Sequence, residues 1–95
     1  MRLEANGECF VCGDKNPDGL NLSFEIDTEA RTLRTHWAPE ARFEGYAGII
    51  HGGLLATVLD EAVAKLCVEV GIPAVTAGMD IRFLRPVNTG EALSI

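Results

Sequence analysis

The sequence has little positive charge, few aromatic residues and no long hydrophobic run. Lys and Arg total 8 against 14 Asp and Glu, which gives a formal net charge of -6 over 95 residues. Nucleic-acid-binding proteins usually carry a basic stripe, so this balance argues against that class. No apolar stretch approaches the roughly 20 residues that a membrane-spanning helix needs. We therefore expect one small domain over residues 1–95, with no nucleic-acid partner and no membrane span.

Cysteine is scarce as well, and its three positions do not suggest a disulfide framework. Cys9 and Cys12 form a single CxxC in an N-terminal loop spanning residues 1–19, whereas a structural zinc site normally has four ligands. The sequence predicts two reduced thiols and no metal, with a zinc shared between subunits or a redox pair as alternatives. Cys67 is expected in the core. The absence of an apolar signal segment favours a cytoplasmic location.

Alternating apolar and polar residues predict an antiparallel hairpin in the first half of the chain. Its strands are expected at residues 20–26 and 33–37, followed by an ordered loop over residues 39–50. Another strand is expected from Thr76. The last strand, EALSI at residues 91–95, would leave a free edge, which predicts that further strands or a partner complete the sheet.

Residues 52–70 have the composition of a long central helix with apolar residues around most of its circumference. Its polar positions form one narrow stripe at i,i+4 spacing: Thr57, Glu61, Lys65 and Glu69. Gly71 and Pro73 are typical of a helix end. An antiparallel sheet curled around one helix, an α+β fold, accommodates this order of elements.

The helix begins with the tripeptide His51, Gly52 and Gly53 instead of an ordinary polar cap. A helix N-terminus offers unpaired N–H groups and a positive dipole end, which stabilise a developing oxyanion. Glycine allows a substrate to approach these amides because it has no Cβ. The tripeptide therefore indicates an oxyanion site, with a tight loop-to-helix turn as the purely structural alternative.

Asp60 is a second candidate for a functional residue, because this carboxylate lies beside the polar stripe of the helix and not within it. It follows His51 by nine residues, which places the two about 13.5 Å apart along the axis and on roughly opposite sides. They cannot act on one atom from the same subunit. Twofold pairing would allow each site to combine the helix start of one chain with Asp60 of the other.

The chain contains the three motifs GYAGIIHGGLLATVLDEA, MDIRFLRPV and NTGE. Together these motifs resemble the hotdog-fold acyl-CoA thioesterases, in the group that contains phenylacetyl-CoA-type and mammalian thioesterase-superfamily members. The segment CFVCGDKNPDGLNLSF is similar to the opening of one branch of that group. The resemblance implies a sheet wrapped around the helix, and homodimers or homotetramers with active sites at the dimer interface. Family domains continue past GEALSI with further strands, so the resemblance also implies that the C-terminal strands are truncated here.

The resemblance also implies roles for individual residues. The oxyanion-hole amide falls at Gly52 or Gly53, and His51 lies near the thioester carbonyl. Asp60 matches a helix carboxylate that acts as general base or nucleophile, of which we favour the base. Thr76 corresponds to a residue that positions the water or the acid, with an ordinary strand threonine as the alternative.

Two further expectations concern the substrate. Arg82 and Arg85 are candidates for binding the phosphates of coenzyme A, or else form a solvated strand face. Glu44 and Gly45 stand where some relatives have Asn or Gln. The implied activity is hydrolysis of acyl-CoA to free acid and CoA without a cofactor. The alternative is a non-catalytic acyl-CoA binding or sensing module, because one fold can host either function.

Overall fold

The alternating residues of the first half form an antiparallel hairpin whose strands are shorter than predicted. The computed structural model describes residues 2–95 and has strand β1 at Glu25–Asp27 and strand β2 at Thr32–Arg34. Asp27 Oδ1 accepts hydrogen bonds of 3.0 Å from the amides of Glu29 and Ala30, which closes the turn. The predicted hairpin is confirmed.

The next strand leaves the hairpin and pairs with the last segment of the chain. Strand β3, His36–Trp37, is antiparallel to strand β6, Leu93–Ser94. Thr35 and Ile95 extend this pairing with reciprocal backbone hydrogen bonds of 2.8 and 2.9 Å. The buried Thr35 hydroxyl donates to the carbonyl of Ser23 at 2.6 Å, so no polar atom is left without a partner there. The strand predicted at EALSI is thus present.

The segment before the helix is more regular than the expected loop. A 3-10 turn at Ala41–Phe43 leads into strand β4, Glu44–Tyr46, which pairs across a bulge with strand β5, Ile49–Ile50. Gly48 has a φ of 76° in the intervening turn, a conformation that favours glycine. Strands this short do not generate a detectable hydrophobic period, which is why the sequence did not reveal them.

Helix α1 spans Gly52–Glu69, one residue short of the predicted end, with Val70 as its C-cap. Gly71 adopts a φ of 85°, and the following amide, that of Ile72, donates to the carbonyl of Cys67 at 2.8 Å. This left-handed residue satisfies the last helical carbonyls and ends the helix as predicted. Among residues 2–95, no helix combines the length and apolar character needed to cross a membrane.

The helix is covered on one side and open on the other. Val58 is 0% exposed at the centre of the core, whereas Val63 and Val68 are 59% and 50% exposed. A single chain therefore covers only part of the helix surface. The uncovered side carries apolar side chains that water solvates unfavourably.

Between α1 and β6 the described chain contains no strand, so the strand predicted from Thr76 is wrong for residues 2–95. An alternating sequence becomes a strand only where another backbone accepts and donates its hydrogen bonds. Within the described chain, residues 76–86 have no such neighbour, and only at the end of the segment does Val87 accept the amide of Ile50, at 2.9 Å. Its apolar residues are consequently accessible, with Leu84 86% exposed and Phe83 51% exposed.

The core lies where β3, the 3-10 turn, β5 and the first half of α1 meet. Trp37, Phe43, Ile50 and Val58 form its centre. The rings of Trp37 and Phe43 contact edge to face, with centroids 5.7 Å apart. Partly buried apolar residues surround them: Leu20, Leu22, Leu54, Leu55, Val87, Leu93 and Ile95. This cluster fixes the start of α1 against the strands.

Replacing Phe43 by Ala should lower the free energy of unfolding by about 3–5 kcal/mol, because the change removes a buried ring and leaves a cavity beside Trp37. Urea denaturation followed by circular dichroism measures the difference. Tyr46→Ala is the matched control, since Tyr46 is an 82% exposed aromatic three residues away and should change stability by less than about 0.5 kcal/mol. Equal effects of the two substitutions would contradict the proposed core.

Candidate functional site

His51 is the N-cap of α1, and three of its groups join the helix start to the 3-10 turn. Its amide donates to the carbonyl of Phe43 at 2.9 Å, and its own carbonyl accepts from Leu54 at 3.0 Å and from Leu55 at 3.3 Å. Its Nδ1 accepts from the amide of Gly53 at 2.9 Å. A ring in this arrangement carries its proton on Nε2, so Nε2–H is its remaining donor. His51 thus performs the capping role that Ser or Asp fills elsewhere.

The two candidate oxyanion amides are not equivalent. The N–H of Gly53 is already bonded to His51 Nδ1. The N–H of Gly52 has no acceptor anywhere in residues 2–95. A free amide at the first helical position is the feature that an anionic oxygen needs. Of the two glycines that the sequence offered, the geometry therefore favours Gly52.

A cavity of about 650 Å³ opens beside this amide. Its volume falls in the range of roughly 300–1,000 Å³ typical of small-molecule sites. Its walls come from β4, β5, the start of α1 and the segment before β6, and comprise Gly45, Tyr46, Ile49, Ile50, His51, Gly52, Leu55, Phe83, Leu84, Arg85, Pro86 and Val87. Most of these side chains are apolar, so the cavity suits a ligand with an apolar portion and a polar group near Gly52.

Phe83 has a specific position in this wall. A Cβ on Gly52 would lie 3.5 Å from the edge of the Phe83 ring, an ordinary contact distance. The ring therefore lies over the helix start. The strand expected from Thr76 did not predict this contact, because the contact depends on how the segment after the helix folds back.

Asp60 and Thr76 are brought together across the turn that follows the helix. The Thr76 hydroxyl donates a hydrogen bond to Asp60 Oδ1. No Lys, Arg or His of the described chain forms an ion pair with Asp60. Asp60 is half-buried, so its carboxylate has one neutral hydrogen-bond donor and a second oxygen that is free to accept.

The Asp60–Thr76 pair and the Gly52 amide do not meet within one chain. Neither Asp60 nor Thr76 lines the cavity beside Gly52. Asp60 follows Gly52 by eight helical positions, which corresponds to about 12 Å along the axis. Because α1 runs without interruption from Gly52 to Glu69, the two groups stay apart within one chain.

The two candidate phosphate-binding arginines differ in their surroundings. Arg85 lines the cavity and forms a forked ion pair with Glu91, at 3.1 and 2.6 Å between guanidinium nitrogens and carboxylate oxygens. The hydrogen bond between them raises the pKa of Arg85 and lowers the pKa of Glu91. Arg82 is exposed, and the described residues offer it no hydrogen-bond or ion-pair partner.

Glu44, at one of the positions where some relatives have Asn or Gln, has a partner that the sequence did not reveal. The Thr89 hydroxyl donates to Glu44 Oε2 at 2.6 Å. This bond joins β4 to the turn before β6, at the place where Ile49 also bridges Asn88. Glu44 therefore holds the cavity wall together, and its carboxylate is already engaged.

One cluster of possible metal ligands lies away from the cavity. Cys9, Cys12 and Glu61 each offer an atom within 4.8 Å of the others. Burial, reinforced by hydrogen bonds to Glu61 and Cys9, raises the pKa of the Cys12 thiol to about 12. Cys67, expected in the core, is only half-buried and has no part in this cluster.

Comparison with known proteins gives one family. The family model described as the thioesterase superfamily matches residues 47–95. Acyl-coenzyme A thioesterase 13 of Homo sapiens and of Pongo abelii are each 42% identical to this chain over 50 residues. The Mus musculus protein of that name is 40% identical over 50 residues.

Each of these three matches covers 50% of this chain and 36% of the relative, so the shared region is about a third of the relatives' length. No solved structure matches significantly. The matched family segment contains the His51–Gly53 helix start, the whole of α1 and the cavity wall around Phe83. On this match the chain belongs to the thioesterase superfamily and has the α+β hotdog class of fold.

Proposed function

We propose that residues 1–95 act as one domain of a cytoplasmic acyl-CoA thioesterase that hydrolyses an acyl-CoA to a free acid and coenzyme A. The observation that carries the proposal is the Gly52 amide, which is unpaired within the described chain and borders a largely apolar cavity. The names of the matched relatives, acyl-coenzyme A thioesterases, support the same substrate class.

The thioester carbonyl binds with its oxygen at Gly52 N–H. Negative charge that develops on this oxygen during attack is stabilised by the amide and by the positive end of the helix dipole. The bond between His51 Nδ1 and Gly53 N–H supports this assignment, because it holds the first turn in place and leaves only the Gly52 amide available. His51 acts as a positioning residue, with Nε2–H as a further donor toward the carbonyl.

Asp60 acts as the general base. It removes a proton from water while the water oxygen attacks the carbonyl carbon, and the tetrahedral intermediate then collapses with cleavage of the C–S bond. The departing thiolate takes up the proton, so water is consumed and Asp60 is regenerated. The hydrogen bond from Thr76 supports this role, because it orients the carboxylate and leaves its second oxygen free for the water.

A thioester is the substrate that this limited machinery suits. Its carbonyl is more electrophilic than that of an ester, and a thiolate leaves without strong acid assistance. One carboxylate and one set of backbone donors can therefore be sufficient. A base to activate water is something that a purely binding module would not need.

The active site is shared between two chains in a homodimer, which can pair further into a tetramer. Asp60 and Gly52 lie too far apart to act on one carbonyl from the same chain. Apolar surface on the uncovered side of α1 and on the segment after it supports dimerisation, including Val63, Val68, Val75, Met79 and Leu84. Twofold pairing would bury this surface and bring each Asp60 to the other chain's helix start.

Coenzyme A binds near Arg85, which lines the cavity, and near the exposed Arg82. Arg82 is available to a phosphate without any rearrangement. Arg85 exchanges its Glu91 partner for a phosphate, because its guanidinium is largely exposed and a phosphate can replace the half-buried Glu91 carboxylate as a bidentate acceptor. The apolar remainder of the cavity accommodates the acyl chain.

Asp60→Asn should lower kcat by about 10²–10⁴-fold, because asparagine can still accept the Thr76 hydrogen bond but cannot take a proton from water. Thiol release from short, long and aromatic acyl-CoAs measures the effect. Glu69→Gln, an exposed carboxylate on the same helix, is the matched control and should leave kcat unchanged. Undiminished turnover by a folded Asp60→Asn protein would exclude Asp60 as the base.

Gly52→Ala should lower kcat by roughly 10²-fold, because its methyl group obstructs the approach of the carbonyl oxygen to the amide. The protein should fold, since the added Cβ would contact the Phe83 ring at 3.5 Å without a clash. Gly78→Ala, where a Cβ would meet nothing within 4 Å, is the control. Equal kcat values for the two variants would argue against Gly52 as the oxyanion donor.

Mixing the inactive Asp60→Asn and Gly52→Ala subunits after joint unfolding and refolding should restore about a quarter of wild-type activity. Half of the randomly formed dimers are mixed, and each mixed dimer has one site with both residues intact. Each variant refolded alone provides the baseline. A mixture with no more activity than these baselines would mean that the site is not shared between chains.

A further inference from the structure

Two thiols and a carboxylate from distant parts of the sequence meet on the side of α1 that carries Glu61. Cys12 Sγ donates a hydrogen bond to Glu61 Oε1 at 3.0 Å, across 49 residues of sequence. Cys9 completes the group, with all three ligand atoms within 4.8 Å of one another. All three residues are half-buried, so the cluster lies between the N-terminal loop and the middle of the helix.

Glu61 forms no ion pair with a Lys, Arg or His among residues 2–95, although its position in the sequence would allow one with Lys65. The i,i+4 spacing places Lys65 one turn later, yet the two side chains form no ion pair. Lys65 Nζ lies instead 6.0 Å from the centre of the Phe24 ring. Within the described chain the Cys12 thiol is the hydrogen-bond donor to Glu61. The cluster therefore combines a half-buried carboxylate with two sulfur ligands and no positive charge.

The backbone of the loop holds the cysteines in position. The amide of Gly13 donates to the carbonyl of Cys9 at 2.8 Å, which closes the turn around the CxxC. A Cβ at Gly13 would come within 2.4 Å of the Cys9 backbone nitrogen, so the turn requires glycine.

Two further backbone bonds attach the same loop to the chain that enters the hairpin. The amides of Leu20 and Leu22 donate to the carbonyls of Phe10 and Val11 at 2.8 Å each. Val11, between the two cysteines, is only 3% exposed. The thiols are thus directed toward Glu61 by a loop that is fixed independently of them.

We propose that Cys9, Cys12 and Glu61 bind one zinc ion, with a water molecule as the fourth ligand. Thiolate, thiolate and carboxylate are ligands that Zn²⁺ accepts in tetrahedral geometry, and two cysteines in a CxxC commonly supply two of them. Thiolates also disfavour Mg²⁺ and Ca²⁺, which prefer oxygen ligands. The sequence predicted no metal because it offered only one CxxC, and Glu61 is the ligand that folding adds.

Binding would exchange protons for the metal. Zn²⁺ displaces the thiol protons of Cys9 and Cys12, and the hydrogen bond from Cys12 to Glu61 is replaced by coordination of both groups to the ion. Two protons are released to solvent, so affinity should fall as pH falls. The bound ion would join the N-terminal loop to α1 directly beside Asp60. This inference does not depend on the proposed hydrolase activity.

The test uses Co²⁺ as a spectroscopic substitute for zinc in reduced, chelator-treated protein. One equivalent of Co²⁺ should produce thiolate charge-transfer absorption and the visible bands of a four-coordinate ion, and Zn²⁺ should abolish both. Cys9→Ser, Cys12→Ser and Glu61→Gln should each weaken binding by at least roughly tenfold. Cys67→Ser and Glu69→Gln are the controls and should bind as wild type does.

A second measurement covers the case in which a variant does not fold. Zn²⁺ should raise the Tm of the wild-type protein and Mg²⁺ should not, because only an ion that binds the native state stabilises it. Folded wild-type protein that gives no Co²⁺ absorption and no Tm shift would overturn the proposal. Co²⁺ binding that Glu61→Gln leaves unchanged would also overturn it, because the ion would then be held by the thiols alone.

Discussion

The start of α1 depends on His51, and much of the remaining structure depends on the start of α1. A single residue accepts from three helical amides and donates to Phe43, so it attaches the first helical turn to the buried 3-10 turn. The core around Val58 then determines which side of the helix faces the strands. With Gly53 bonded to the His51 ring, the amide of Gly52 remains as the free donor beside the cavity. The cap on the helix and the free Gly52 amide are thus two results of one arrangement.

The rigidity of this helix imposes the second constraint. Gly52 and Asp60 are fixed on different parts of one α-helix, and no side-chain rotation brings them to the same atom. A chemistry that needs both must take them from two chains. The apolar side chains left exposed on α1 and on the segment after it agree with such an assembly, because an isolated chain would expose them to water.

Neighbouring acidic residues on the helix have different environments because different segments cover them. Asp60 receives the hydroxyl of Thr76 from the segment after the helix, whereas Glu61 receives the thiol of Cys12 from the N-terminal loop. Consecutive residues of an α-helix point in directions about 100° apart, so the side chains of Asp60 and Glu61 face different parts of the structure. The same constraint separates the proposed chemistry at Asp60 from the proposed metal ligand at Glu61.

Local pattern was sufficient to determine the helix from Gly52, its end just before Gly71, the first hairpin and the candidate residues at the helix start, because these features depend on residues close together in sequence. Contacts between distant segments decided the rest. Several features require the chain to fold back on itself. They are the free amide at Gly52 and not at Gly53, the contact of Phe83 with Gly52, the hydrogen bond from Thr76 to Asp60, and the cluster of Cys9 and Cys12 with Glu61. A strand also requires a neighbouring strand with which to form hydrogen bonds. The alternating residues after Thr76 have no such neighbour in the described chain and therefore form no strand.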